Sequence, residues 1–210
     1  MLFRSKYVES IRKRLSPNTK TYIDEVGTAT AQPLSSREVI PPTYWHLSAA
    51  VFANLYVQLV KLHIELVGGA ELIDYPGQFA GASLSDWTTG YPNARFQVLR
   101  LLRGRISRGD SLVDVDLVDH RGNDEIDRLG QRGDYSVQGF MSQEGERKVL
   151  IINKRDRPLF LRIVGAKGGR LDYVDESTRS GEPLSVKVGD DRIRFGGFSV
   201  AIVSLADSAF

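Results

Sequence analysis

The stretch KTYIDEVGT, residues 20–28, decides how the first half of this chain is interpreted. Its apolar run is typical of a short buried strand. Two adjacent carboxylates, Asp24 and Glu25, end the run, and Gly27 follows them. In folds built from parallel strands, catalytic groups gather at the carboxyl ends of the strands. Asp24 and Glu25 therefore mark either a functional strand end or the ordinary start of a polar loop.

The residues on either side of this strand show helical periodicity. Apolar residues at three- and four-residue spacing predict a helix over 6–15, which Pro17 ends. The run YWHLSAAVFANLYVQLVKLHIELV, residues 44–67, is apolar on most of its circumference. We therefore expect a second helix there, packed on several sides.

A second strand and a third helix follow Gly68 and Gly69. The run AELIDYP, residues 70–76, predicts the strand, and Pro92 begins a helix that we expect to end at Arg103. This order of helices and strands indicates βα units in a parallel sheet. Two parallel strands do not make a stable sheet alone, because such strands need neighbours and covered faces. We expect further strands to complete it.

The pattern changes after Arg103. Short alternating or apolar runs, separated by turn clusters, predict an antiparallel β-sandwich or barrel-like module. We expect a fold of the class α/β plus all-β, with one domain over 1–103 and a second over 104–210. The runs are SLVDVDLV, YSVQGF, KVLIIN, LFLRIVG, RLDYVD, LSVKV, RIRF and FSVAIVSL.

Charge and composition limit the possible partners. The formal net charge is +2, with 11 basic and 8 acidic residues up to Arg103 and 17 basic and 18 acidic residues after it. Neither half carries the concentrated basic excess of a nucleic-acid-binding domain. The longest apolar stretch, residues 49–67, contains too many polar residues for a membrane span. We expect neither nucleic acid nor a membrane as partner, while oligomeric state and localisation stay open.

No residue pattern predicts a metal or a cofactor. The chain has no cysteine, which excludes disulfides, thiolate metal sites and cysteine nucleophiles. His46, His63 and His120 are too scattered for a metal site. The run GAKGG, residues 165–169, lacks the spacing of a dinucleotide-binding loop and predicts a hairpin turn.

The second predicted strand also ends in polar residues. Asp74 and Tyr75 precede Pro76, and the following loop contains Gln78, Asp86 and Trp87. A Trp beside an Asp suits a sugar ring, because the indole covers the apolar C–H face while the carboxylate accepts from hydroxyls. The alternative is that Trp87 packs on the following helix or fills the rim of the fold.

Four stretches resemble the C-terminal portion of proteins related to glycoside hydrolase family 39. They are SPNTKTYIDEVGT, YWHLSAAVFANLYVQLVK, SLSDWTTGYPNARFQVLRLL and KVLIINKRDRPLFLRIVGAKGG, and the resemblance extends over nearly the whole chain beyond Ser5. It implies the last part of a (β/α)₈ barrel followed by a β-sandwich. It also implies retaining hydrolysis by two glutamates, with the nucleophile at the end of the seventh strand.

Carried onto this sequence, the resemblance assigns the nucleophile to Glu25 and a possible orienting role to Asp24. The acid/base glutamate of the family follows an Asn on the fourth strand, and this sequence has no Asn-Glu pair. We therefore expect an N-terminally truncated fragment that does not hydrolyse glycosides at a useful rate by itself. A natural half-barrel is the alternative, but it would leave a sheet edge and an apolar helix in water.

The favoured interpretation is the C-terminal part of a retaining glycoside hydrolase with a carbohydrate substrate. Glu25 is its nucleophile, and the substrate-binding residues are Asp24, Tyr75, Gln78, Asp86 and Trp87. The competing interpretation is a non-catalytic carbohydrate-binding or interaction module in which Glu25 has only a structural role.

Overall fold

The computed structural model describes residues 2–28, 39–69, 71–73, 81–87, 89–117, 133–178 and 181–206. The helices of this part are α1 (Leu2–Leu15), α2 (Pro42–Lys61) and α3 (Ala94–Arg105). The strands are β1 (Tyr22–Val26), β2 (Leu66–Gly69), β3 (Ser111–Val113), β4 (Tyr135–Met141), β5 (Arg147–Asn153), β6 (Leu159–Arg162), β7 (Arg170–Val174), β8 (Leu184–Lys187), β9 (Arg192–Phe195) and β10 (Val200–Ser204).

The first half contains a two-stranded parallel sheet. β1 pairs with β2, so the predicted parallel βα arrangement is present. Within the described residues this sheet has two strands and does not close into a barrel. The complete barrel therefore stays a prediction.

The end of α2 and the position of β2 differ from the sequence-based prediction. We expected the helix to continue to Val67 and the strand to begin at Ala70. Instead, α2 ends at Lys61, and β2 is Leu66–Gly69. The described residues of the predicted second strand contribute only an isolated bridge between Ile73 and Ser85.

A Schellman motif explains the early end of α2. His63 takes a left-handed conformation with φ 59°, and its N–H donates to the carbonyl of Val60. The N–H of Ile64 donates to the carbonyl of Leu59, and both of these side chains are buried. This pairing of hydrogen bonds, with an apolar contact across it, closes the carboxyl end of a helix. The apolar periodicity of the sequence continues past this motif, so the periodicity did not predict that α2 ends at Lys61.

The start of α3 is set by a side chain. Asn93 is the N-cap, and its Oδ1 accepts from the backbone N–H groups of Arg95 and Phe96. Pro92, expected as the first helical residue, therefore lies just before the cap.

The second half forms the antiparallel strands that the alternating runs predicted. Each of the eight runs contributes one strand from β3 to β10. Six of them form a sheet in the order β3-β4-β5-β10-β7-β8, and β6 pairs separately with β9. All these pairings are antiparallel.

The six-stranded sheet is buried on both faces at its centre. Side chains alternate between faces along a strand. Leu150 and Ile152 share a core with α2 and α3, whereas Ile151 packs with β6 and β9. On β10 the same alternation sends Ile202 to the helices and Ala201 to the other core. The helices of residues 1–103 thus share a core with strands of 104–210, while the domain boundary and the β-sandwich stay predictions.

An ion pair joins the carboxyl end of α3 to this sheet. Arg105 donates to Asp172 Oδ1 at 2.8 Å, and Arg170 donates to Asp172 Oδ2 at 2.9 Å. Asp172 is buried, so its charge depends on both guanidinium partners.

Buried Glu9 holds α1 against the chain that leads into β1. Arg12 donates to both oxygens of Glu9, and Thr21 Oγ1 donates to Glu9 Oε1. The hydrogen bonds from Arg12 hold the pKa of Glu9 below its ordinary value. Arg12 also donates to the carbonyls of Pro17 and Thr19, which fixes the turn after α1.

Candidate functional site

Asp24 and Glu25 form an irregularity in the pairing of β1 with β2. Ile23 pairs with Val67 and Val26 pairs with Gly69, and the register shifts between these pairs. Two residues of β1 therefore lie opposite the single Gly68. A β-bulge of this kind bends a strand and re-aims its side chains, and bulges are common next to active sites.

The bulge explains why both carboxylates are exposed. Val67 and Gly69 line a cavity of about 520 Å³ together with Leu99 of α3, so their side of the sheet faces the helices. Paired residues point to the same side, which places Ile23 and Val26 towards the helices as well. In a regular strand, residues three apart would point to opposite sides. The extra residue thus buries Val26, which is 2% exposed, and leaves Asp24 and Glu25 exposed.

Gly68 is necessary for this arrangement. A Cβ at this position would overlap the carbonyl oxygen of Asp24. The backbone of β2 therefore approaches the bulge more closely than any residue with a side chain allows.

The other face of the parallel pair is open, contrary to the prediction of a buried strand. Tyr22 and Leu66 pair with each other, and their side chains are 59% and 54% exposed. The side chains of Asp24 and Glu25 make no hydrogen bond or ion pair within the described residues. The carboxylate of Glu25 is thus available to a ligand, and the orienting role of Asp24 stays a prediction.

Hydroxyl groups fix the chain just beyond the bulge. Thr28 Oγ1 lies 2.6 Å from Ser48 Oγ on α2. The Tyr44 hydroxyl lies 3.3 Å from Thr28 Oγ1 and 3.3 Å from the carbonyl oxygen of Gly81. These contacts join the end of β1, the first turns of α2 and the segment after β2. No local sequence pattern predicts these contacts, because the partners are far apart along the chain.

Gly81 packs directly against the ring of Tyr44. Its φ is +85°, and a Cβ would lie 2.6 Å from the Tyr44 ring. Both the backbone conformation and the close approach therefore require glycine.

The buried side chain of Arg95 holds the segment 81–85 in place. Its Nη1 donates to the carbonyls of Ala82 and Ser83, and its guanidinium lies 3.7 Å from the ring centroid of Phe52. Asn93 Nδ2 adds a hydrogen bond to the Ser83 carbonyl at 2.9 Å. Residues 81–85, which directly precede the predicted site residues Asp86 and Trp87, are therefore held by buried side chains at the start of α3.

Asp86 and Trp87 have structural contacts in this segment. Asp86 Oδ1 accepts from the N–H of Thr89 at 3.1 Å, and its carbonyl accepts from the N–H of Gly90. The half-buried Trp87 packs against the core between the helices and the six-stranded sheet. This position agrees with the alternative in which Trp87 is a packing residue. A sugar-binding role for Asp86 or Trp87 stays a prediction. Tyr75 and Gln78 lie outside the described residues.

His46 is a buried titratable group near this site. It lies on the first turns of α2, is 2% exposed, and its Nδ1 has no hydrogen-bond partner within the described residues. Burial lowers the pKa of His46 from its ordinary value of 6.5, although the charge of Asp175 opposes the shift. The imidazole is therefore held in its neutral form.

We expect acid to destabilise the fold through His46. Below pH 6.5 the unfolded chain binds a proton on this residue more readily than the folded chain, so the free energy of unfolding falls as pH decreases. One such proton contributes a slope of up to about 1.4 kcal/mol per pH unit. His46→Leu should remove this contribution in urea unfolding measured between pH 7.5 and 5.

His63→Asn is the matched control, because His63 is exposed and Asn tolerates its left-handed conformation. Equal pH slopes in wild type and His46→Leu would contradict the prediction.

The described residues contain no group of three or more side chains that could hold a metal ion. Among the same residues, no helix is both long enough and apolar enough to cross a bilayer.

Comparisons with known proteins give a likeness at the level of the fold. No protein-family model matches the chain, and no curated protein matches it. The solved structures that it matches include the catalytic domain of GH30 xylanase C from Talaromyces cellulolyticus, with a TM-score of 0.56, 12% identity, and coverage of 90% of this chain and 42% of that one.

Two further solved structures have similar scores. The GH51 arabinofuranosidase from Xanthomonas axonopodis pv. citri has a TM-score of 0.59 at 10% identity, and the match covers 98% of this chain and 46% of that one. The β-porphyranase BpGH86A of Bacteroides plebeius has a TM-score of 0.58 at 11% identity, with 96% and 38% coverage. The chain spans less than half the length of each of these three structures. At such identities the likeness shows a glycosidase-like fold alone, and family 39 is not among these matches.

Proposed function

We propose that this chain is the C-terminal part of a retaining glycoside hydrolase in which Glu25 is the nucleophile. Two observations support the proposal together. The chain has the fold of part of several glycosidases, and it carries an exposed glutamate in a bulge near the carboxyl end of a parallel strand. The bulge is the observation that carries the assignment of Glu25, because it gives the carboxylate an open approach.

The reaction needs a second carboxyl group. In retaining hydrolysis the nucleophile attacks the anomeric carbon and forms a glycosyl-enzyme, while an acid protonates the leaving oxygen. The same group then removes a proton from water, which releases the sugar and regenerates the nucleophile. The two carboxyls lie about 5 to 5.5 Å apart in such enzymes. Our proposal places the acid/base residue outside these 210 residues.

The finer features belong to the same proposal. They are a parent related to family 39, a closed (β/α)₈ barrel followed by a β-sandwich, and a subsite made of Asp24, Tyr75, Gln78, Asp86 and Trp87. The substrate class is carbohydrate.

A non-catalytic carbohydrate-binding or interaction module is the second candidate function. The packing of Trp87 removes one support of the enzymatic candidate, because the aromatic residue expected in its subsite belongs partly to the core. In this candidate the bulge only bends β1 before its last pair with β2.

The upstream reading frame of the source DNA distinguishes the two candidates. We expect it to encode the rest of a barrel, with an Asn-Glu strand end roughly 100 residues before Glu25, given the usual βα repeat length. The complete protein should then cleave at least one aryl glycoside of a panel, whereas the 210-residue chain should not. A frame without a barrel, or turnover by the 210-residue chain alone, would contradict the proposal.

A further inference from the structure

The outward face of the β6–β9 pair carries an aromatic ring among arginines. In the antiparallel register Phe160 lies opposite Arg194, and Arg162 lies opposite Arg192. These four residues form a two-by-two block on alternate rungs, which we call the arginine face, and the inward-facing pair Leu161–Ile193 lies on the rung between. Residues directly opposite each other have Cβ atoms about 4.5 to 5.5 Å apart.

The alternation of the two strands fixes the orientation of the arginine face. Leu159, Ile193 and Phe195 point inward and are buried in the core beneath the six-stranded sheet. The residues between them must point outward. Phe160 is accordingly 69% exposed, which is unusual for a side chain of this size and polarity.

The guanidinium groups of this face make no ion pair with any described residue, which holds for Arg162, Arg192 and Arg194 alike. The nearest carboxylates along the chain, Asp190 and Asp191, accept from the backbone N–H groups of Arg192 and Lys167 in the turn before β9.

Like charges directly opposite each other destabilise an antiparallel pair, so Arg162 beside Arg192 costs stability. A bound anion between them would offset this repulsion. The pairing of Arg162 with Arg192 is therefore better explained by a bound ligand than by the packing of the fold.

We propose that the arginine face binds an acidic polysaccharide through its carboxylate groups. A guanidinium presents paired donors that match a carboxylate, so Arg162 and Arg192 suit one acidic group from two sides. The Phe160 ring offers an apolar surface to the C–H face of the adjoining sugar, as aromatic rings do in carbohydrate sites. Arg194 takes the acidic group of the next residue along the polymer.

Charge distribution favours this ligand over nucleic acid. A duplex presents one phosphate per about 1.7 Å, and tight binding requires many basic contacts along it. Residues after Arg103 carry 17 basic and 18 acidic side chains, so this half has no overall basic excess. A polymer with one charge and one apolar face per sugar ring matches this sparse pattern.

The inference is independent of the proposed hydrolase, since it concerns a face that does not include Glu25. It can be tested on the 210-residue chain itself, by affinity electrophoresis and calorimetry with polygalacturonate as the acidic probe. Neutral xylan and a duplex DNA of matched charge serve as the comparison ligands. We expect polygalacturonate to bind, with affinity that falls as salt rises, and xylan and DNA to bind at least tenfold more weakly.

The double variant Arg162→Gln/Arg192→Gln should weaken polygalacturonate binding at least tenfold, and Phe160→Ala should weaken it several-fold. The matched control is Arg108→Gln/Lys187→Gln, which removes two exposed cations elsewhere and should leave affinity unchanged. Thermal unfolding checks that every variant folds, and removal of the Arg162–Arg192 repulsion should not lower Tm.

Three outcomes would overturn the inference. They are absence of polygalacturonate binding by the wild-type chain, equal weakening by the control variant, and DNA binding as tight as polygalacturonate binding.

Discussion

Glu25→Ala in the complete protein should lower kcat/KM for an aryl glycoside on the order of 10³-fold or more. The nucleophile of a covalent mechanism is required for the first bond-forming step, and removal of such groups costs several orders of magnitude. Glu25 lies in an exposed bulge and makes no ion pair within the described residues, so its loss should leave the fold nearly unchanged. Initial rates over a substrate series, together with the Tm of each variant, provide the measurement.

Asp24→Asn is the matched control for this experiment, since it changes the adjacent carboxylate of the same bulge. We expect it to lower kcat/KM by no more than about tenfold, because a residue that only orients the nucleophile leaves the covalent step available. Added azide should restore turnover to Glu25→Ala and not to the wild type. Azide attacks the anomeric carbon in the space left by the side chain, so the glycosyl azide should have inverted configuration.

An azide product with retained configuration would contradict the nucleophile assignment. Full activity of Glu25→Ala would contradict any catalytic role for this residue.

Arg95→Met should reduce the free energy of unfolding of the 210-residue chain by about 1.5 to 3 kcal/mol, the range for hydrogen bonds made by a charged group. Arg95 is 1% exposed, donates to the carbonyls of Ala82 and Ser83, and packs on Phe52. A methionine fills much of the volume but leaves these buried carbonyls without their donor, which adds their desolvation cost.

Arg103→Met is the matched control on the same helix, because Arg103 is exposed, and it should change stability by less than about 0.5 kcal/mol. Arg95→Lys should fall between the two variants, since an ammonium keeps the charge without the planar fork. Urea unfolding gives the free energies, and hydrogen exchange should show faster exchange of the Leu84 amide, whose acceptor is the Glu71 carbonyl, in Arg95→Met. Equal stability of Arg95→Met and Arg103→Met would contradict this role for Arg95.

The strands of the second half could be predicted because their signal is local. Each run alternates in the sequence, and each lies in the structure with one set of side chains in a core. Sheet order was not predictable in the same way. β10, the last strand in the chain, lies between β5 and β7. This order depends on how the two faces of the sheet are buried in the folded protein, and no short stretch of sequence carries that information.

The prediction for residues 44–76 failed because two local signals opposed each other. Apolar periodicity extended the helix to Val67, whereas His63 ends it through a left-handed conformation that His adopts infrequently. β2 consequently begins earlier than expected and brings Gly68 opposite Asp24 and Glu25. The sequence indicated a carboxylate pair at a strand end, but the bulge that exposes both depends on the partner strand.

The sequence by itself determined the βα order of the first half, the β-rich second half, and the carboxylate pair Asp24 and Glu25 near the end of the first strand. These features follow from periodicity and composition within short windows, where each residue acts mainly on its neighbours. The tertiary structure alone decided three other features: the one-residue shift that exposes Glu25, the burial of Arg95 beneath residues 81–85, and the alignment of Arg162 with Arg192. Each depends on the register between segments far apart in the chain, and register is settled by burial of whole faces rather than by local preference.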